Sequence, residues 1–420
     1  MSEHLLRHQL NAEFHARPPL PLTGSTRIRH LAFLPDAAES VSQRAYLDRL
    51  LTEPDWAIAE QSDAYCVVGH GEVKVRWELH TEFSSFTLLE PLDANGSAKS
   101  AIDARALQRW MAEMPGEAIV SLRIDHRDAK DLAPDTVMAA IYPSTQQMVV
   151  SRIVDGKAWV FTDFQFVEGE VNFLLIDAGM TQRQAGRTAQ RLWEIETYRL
   201  MALLGLPVAK KIGTWLRESE LQLAALTDKI GDARSTVDEH AALVTLSNLA
   251  AEVENSVART AFRFGAARAY STIVMQRIGE LREERIAGFP TLKEFMERRL
   301  APSMNTCAAM AMRQSELSSR VARNSQLLRT RIEIALEQQN QQLLVQMNQR
   351  ARQQLHLQET VEGLSVVAIS YYGSQLVHYL SVGAMVAGIA VVPEYATAIS
   401  IPLIALSVWG TLRLLRRRAK

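Results

Sequence analysis

The chain has 420 residues, with 46 Lys and Arg against 47 Asp and Glu, and a formal net charge of −1. That balance excludes a globally basic surface, and with it the electrostatic case for a nucleic-acid partner. The two cysteines, Cys66 and Cys307, stand too far apart in sequence to suggest a metal pair or a disulfide framework, which fits a reducing compartment.

The length allows two or three domains. Residues 1–10 hold no apolar core, so no cleaved signal peptide is expected. The first landmark is Asn11-Ala12-Glu13-Phe14-His15-Ala16-Arg17-Pro18-Pro19. Its prolines stop any helix and force Arg17 towards an extended backbone. Glu13, His15 and Arg17 read either as an acid/base or anion-binding cluster, or as a structural ion pair at a turn. With Asn11 they make a motif of unknown role.

Residues 1–180 read as a mixed α/β domain. Strands are expected at 28–34, 64–68, 72–80, 83–90, 119–125, 148–154, 158–167 and 171–176, and helices at 42–52 and 103–113. Glu72-Val73-Lys74-Val75-Arg76-Trp77-Glu78-Leu79 alternates most clearly, as a half-buried strand does. Asp155-Gly156 between two strand runs is a hairpin signal. There is no phosphate-cradling Gly-rich loop, no Gly-x-Ser-x-Gly elbow and no His-Glu-x-x-His, so the domain is not expected to be an enzyme. His70, His80 and His126 read as structural residues. His80, with Glu78 and Glu82 on the same face, is the local cluster to test for metal.

From Thr181 the pattern turns helical. Helices are expected over 192–204, 209–230, 235–286 and 292–300, broken at Gly205-Leu206-Pro207, Gly231 and Gly288-Phe289-Pro290. Residues 181–302 form a helical domain. After Pro302 no proline occurs until Pro393, and residues 303–362 make a stalk helix about 90 Å long at 1.5 Å per residue. Its lower part is rich in Gln interleaved with Leu336, Leu343, Leu344, Met347, Leu355 and Leu357. That stretch reads as a loose coiled-coil face, or as a polar lining that continues downward.

Residues 363–420 read as two transmembrane helices, over 364–392 and 396–412, joined at Pro393-Glu394-Tyr395 and followed by Arg413, Arg416, Arg417, Arg418 and Lys420. Positive residues stay inside, so both termini are expected in the cytoplasm of a multi-pass inner-membrane protein. Tyr371, Tyr372, Gln375, His378 and Tyr379 share one face of the first span, as a pore lining or as interhelical hydrogen-bonding groups. Glu394 stands at the outer mouth.

The Asn11 to Pro19 motif and Thr360-Val361-Glu362-Gly363-Leu364-Ser365-Val366-Val367-Ala368-Ile369-Ser370-Tyr371-Tyr372 resemble a bacterial family of predicted membrane-anchored proteins with no assigned function. The order of α/β domain, long antiparallel helices, stalk and two spans also resembles CorA-type divalent-cation transporters. Val392-Pro393-Glu394-Tyr395 is similar to their outer loop, while their Gly-Met-Asn is missing here. This second resemblance implies a pentameric homo-oligomer in a lipid bilayer. No permanently bound cofactor is implied, and a divalent cation would be the transported or regulatory ion. The expected function is a CorA-like cation channel or transporter. The alternative is a membrane-anchored oligomeric scaffold or ligand-binding protein without transport.

Overall fold

In the computed structural model, which describes residues 3–4, 6–8, 11, 18–53, 55–62, 64–99, 109–141, 148–232 and 236–418, strand β1 (Thr26–Phe33) is hydrogen-bonded on both sides. Helix α1 (Ala37–Asp48), capped by Asp36 with Glu39 in a reciprocal capping box, follows it. A 3-10 turn (Arg49–Thr52) leads into the meander β2 (Ala57–Ser62), β3 (Tyr65–His70), β4 (Val73–Leu79) and β5 (Ser84–Pro91). Then come β6 (Ala118–Asp128), α2 (Pro134–Ile141), β7 (Val149–Ile153), β8 (Ala158–Val167) and β9 (Glu170–Asp177).

With the late two-residue strand β10 (Glu284–Arg285), these form a ten-stranded sheet in the order β10-β7-β8-β9-β6-β1-β5-β4-β3-β2. Neighbours pair antiparallel except β6 with β9. The β8–β9 hairpin closes through Glu168 and Gly169, both at positive φ (54° and 84°), the twist that a two-residue hairpin turn requires. The hairpin expected at Asp155-Gly156 joins β7 to β8. The short strands β2 and β10 carry little apolar pattern and were not foreseen.

Helix α3 (Gln182–Leu203) starts at Thr181, whose side chain and that of Gln184 cap each other's backbone N–H groups. Its buried Ala185, Ala189, Leu192 and Ile195 recur at helical spacing and lie on the sheet with Ile28, Leu122, Ile124, Val160 and Leu175. The other face of the sheet buries Val75, Trp77, Phe86 and Leu88 against Tyr46, Leu47 and Leu50. Helices α4 (Gly205–Asp232), α5 (Thr236–Leu281), α6 (Leu292–Arg299), α7 (Ala301–Val386) and α8 (Pro393–Arg418) complete the chain. Pro207 therefore falls in the first turn of α4, where a missing N–H costs nothing, rather than between two helices.

The chain divides into two compact units, residues 1–231 with 244–325, and residues 232–243 with 326–420. In the first, α5 runs antiparallel to both α4 and α7. A Cβ at Gly205 would lie 2.9 Å from Ala267 Cβ and 3.2 Å from Cys307 Sγ, so the three helices meet at a residue without a side chain. Arg313 holds Glu220 through both Nε (3.1 Å) and Nη2 (2.7 Å). In the second unit, Gly373 of α7 approaches Ile404 of α8, and Ser370, Ser374, Ser381 and Ser400 are buried.

Among the described residues no helix is long and apolar enough to cross a membrane. The two predicted spans are corrected accordingly. Helix α7 stops at Val386, and its last turns interleave Ser370, Tyr371, Tyr372, Ser374, Gln375, His378, Tyr379 and Ser381 with the apolar residues. Those hydroxyl, amide and imidazole groups are costly in hydrocarbon, and absence of charge is not enough to offset them. Helix α8 carries Pro402 inside it, which removes one backbone hydrogen bond. The CorA-like two-span fold, the multi-pass inner-membrane localisation and the cation-channel function fall with these spans. Side chains of the expected basic tail, Arg413 and Arg416 to Arg418, lie outside the described ones, as do residues 103–108 of an expected helix.

Candidate functional site

Strand β4 is the starting point. Its alternation sends Val75 and Trp77 to the apolar face shared with α1, and Arg76 and Glu78 to the other face. On the sheet, Thr87 of β5 stands opposite both Arg76 and His30 of β1, so the three share one cross-strand row. This polar row does not face water. Arg76 is 0% exposed, Glu78 4% and His30 2%. Helix α3 covers them and turns a polar stripe inward, Gln190, Glu194 and Thr197, around the ring of Trp193.

Between these surfaces lies a cavity of about 260 Å³. Its floor is His30, Glu78 and Ser85, one wall is the stripe of α3 with Tyr198, and the rim holds His80, Phe83 and Arg277 of α5. Charge inside it is balanced pairwise. Arg76 Nη2 donates to Glu78 Oε1 at 2.6 Å, and Arg76 Nη1 lies 3.4 Å from Gln190 Oε1. Glu194 accepts from Gln190 Nε2 at 2.8 Å and from Arg277 Nε. Arg277 Nη1 reaches Glu280 Oε1 at 3.0 Å, and Arg191 Nε reaches Glu280 Oε2 at 2.8 Å. Burial works against the charge on Arg277, but Glu194 and Glu280 outweigh it and raise its pKa. Arg277 donates to these carboxylates through Nε and Nη1, and its Nη2 can donate to a bound group.

The tautomer of His30 follows from its neighbours. The Thr197 hydroxyl donates to Trp193 O at 2.8 Å, so towards His30 Nε2, 3.1 Å away, it accepts. Nε2 therefore carries the proton, and Nδ1 accepts from the Thr87 hydroxyl at 2.8 Å. The imidazole stacks on Trp193, with centroids 5.8 Å apart. Burial, then the charges of Arg76 and His80, lower its pKa to about 3. With both nitrogens engaged and the ring neutral, His30 fixes the floor and offers neither a proton nor a metal lone pair.

The predicted His80, Glu78 and Glu82 set is not assembled as a metal centre. The His80 ring stacks on Phe83 at 4.1 Å, while Glu82 accepts from Tyr270 Oη at 2.8 Å and pairs with Arg263. Among the described residues no group of three or more His, Cys, Asp or Glu side chains could hold a metal ion. His126 lies 2.9 Å from Gly24 O through Nδ1 and 3.4 Å from Asp177 Oδ2 through Nε2. His70 lies 3.8 Å from Asp55. Cys66 and Cys307 are free and buried, and burial pushes both thiols up, away from nucleophilic thiolate.

Glu13, His15 and Arg17 lie outside the described residues, and Asn11 is exposed. The end of their motif nevertheless reaches the cavity residues, since Pro18 O stands 3.4 Å from Arg76 Nη1. Tyr371, Tyr372 and Tyr379 are exposed on α7, Glu394 is exposed in the first turn of α8, Gln375 is half-buried, and His378 Nδ1 lies 3.1 Å from Thr397 Oγ1. All six belong to the second unit, and the pore role assigned to them lapses with the spans. Of the pocket residues, sequence reading singled out Glu78 and His80, as a metal cluster with Glu82, and missed the others. Two signals pointed to them: opposite charges two apart on one strand, and polar residues at 190, 194 and 197 on one helix face around a Trp.

No curated protein matches this sequence. The resemblance to CorA-type transporters is not shown, whereas a family model matches residues 2–419. The chain belongs to that family, described as "protein of unknown function (DUF3422)".

Proposed function

We propose that this protein is a ligand-binding protein, and that its α/β unit takes up a small zwitterion of about amino-acid size in the cavity beneath α3. The observation that supports this reading is the make-up of that cavity. Carboxylates of Glu78 and Glu194 suit an ammonium group, and Arg277 suits a carboxylate. The faces of Trp193, Tyr198 and Phe83 suit the aliphatic body between them. Opposite charges already paired at the site keep its field near zero, which favours a neutral overall ligand over an ion of either sign.

The test is a melting-temperature screen of the full chain against free amino acids and other small zwitterions, with simple amines and carboxylates as controls. A binder at a hundred times its dissociation constant stabilises the fold by about 2.7 kcal/mol, several degrees in melting temperature. The shift should disappear in Glu194→Gln and in Arg277→Met. No shift with any zwitterion, or shifts equally large in both variants, would remove the proposal.

A further inference from the structure

Every residue of α7 from 336 to 361 is exposed. Within that stretch Leu336, Leu343, Met347, Leu357 and Val361 are each more than half exposed. These positions are ordered. One set falls at multiples of seven and continues through Leu364, Tyr371, His378 and Met385; the other runs through Asn340, Met347, Gln354, Val361, Ala368, Gln375 and Val382. A seven-residue repeat keeps to one line only when a helix coils about a partner, because a helix alone turns once per 3.6 residues. The seam is distinct from the α7 face that buries Ser370, Ser374 and Ser381.

The polar seam positions say which helix fits. Asn340 and Gln354 are two heptads apart, and Gln354 and Gln375 three. That unequal spacing does not match its own reverse, so an antiparallel copy would set amides against apolar groups. A parallel copy in register sets each amide against its equivalent, and an amide both donates and accepts. Between Glu337 and Arg350 there is no charged side chain, so identical surfaces meet there without repulsion.

We infer that a second copy of this chain lies along the α7 seam, parallel and in register, as a left-handed coiled coil. From Leu336 to Met385 the helix is about 75 Å long at 1.5 Å per residue. A strip about 10 Å wide along it covers about 750 Å² per copy, or about 1,500 Å² in all, the size of a standard stable interface. Buried amide layers fix the register at some cost in stability. Arg350 also falls on the seam and meets its own equivalent, which weakens the association.

The experiment uses the full chain. Gln354→Cys on the seam and Gln349→Cys off it are oxidised side by side, with the buried Cys66 and Cys307 as an inert background. The expected result is a disulfide-linked dimer from Gln354→Cys and little from Gln349→Cys. Sedimentation of the unaltered protein should show self-association that Arg350→Leu tightens about tenfold. Equal cross-linking at the two positions would overturn the inference, as would an Arg350→Leu variant that associates no more tightly. So would a chain that stays monomeric at about 100 µM, which is what a seam reserved for a different protein would give.

Discussion

Arg76 and Glu78 stand two residues apart on one strand, their charged groups joined at 2.6 Å beneath a helix and almost wholly removed from water. An ion pair so placed is no simple gain. Each charge loses its hydration, and the attraction between them repays that loss only while the geometry is kept. The guanidinium also lies over the rings of Tyr65 (5.2 Å) and Trp193 (6.0 Å) and touches Pro18 and Gln190, so it ties the sheet to α3 and to the N-terminal segment.

Replacing Arg76 by Met should therefore cost about 3–5 kcal/mol, because a buried carboxylate is left without this guanidinium. The double change Arg76→Met with Glu78→Leu should cost clearly less than the single one. Urea unfolding followed by tryptophan fluorescence measures both. If the two changes simply add, the pair is not coupled and the account of the site's electrostatics is wrong.

His30 gives the pH dependence. Its folded pKa is lowered to about 3, whereas the unfolded chain binds the proton near 6.5. As pH falls below about 6.5 the unfolded state takes up a proton that the folded state refuses. Stability is thus complete above about 6.5 and declines progressively towards pH 3, by at most about 1.4 kcal/mol per pH unit. Between pH 6.5 and 5, above the range where carboxylates titrate, the loss should be about 2 kcal/mol. His30→Gln retains a donor and an acceptor for Thr197 and Thr87 and has no proton to gain, so its stability should fall less over that interval. Identical slopes for the two proteins would show that His30 does not carry the effect.

Much of the fold was readable because it rests on local chemistry. The alternation of β4, the Asp155-Gly156 turn and the apolar spacing of Leu192, Ile195, Leu200 and Leu203 each identify an element without reference to the rest of the chain. Beyond Glu78 and His80 the site was not readable, because alternation shows only that a strand has two faces. Arg76 and Glu78 look like the watered side of β4 until α3, more than a hundred residues later, is laid over them with a polar stripe of its own. The C-terminal stretch misled in the opposite way. Counting charges from 364 to 392 finds almost none, while weighing the hydroxyls of Ser370, Tyr371, Tyr372 and Ser374 with the amide of Gln375 gives a helix too polar to span hydrocarbon.

The N-terminal segment offers the last test. Gly186 of α3 faces the backbone of Leu20, and a Cβ there would lie 2.0 Å from Leu20 O and 3.3 Å from Pro21 Cα. Backbone cannot swing aside as a side-chain tip can. Two residues on, Leu22 N donates to Gln182 O at 3.1 Å, and Pro18 O faces Arg76, so the same few residues are held at both ends. Helix propensity alone favours Gly186→Ala by about 1 kcal/mol. The clash should reverse that sign and leave the variant destabilised by about 1–3 kcal/mol. Limited proteolysis should then cut the first 22 residues faster than in the unaltered protein, with helical circular dichroism retained. A variant as resistant as the wild type and more stable would show that the segment does not rest on α3 through this contact.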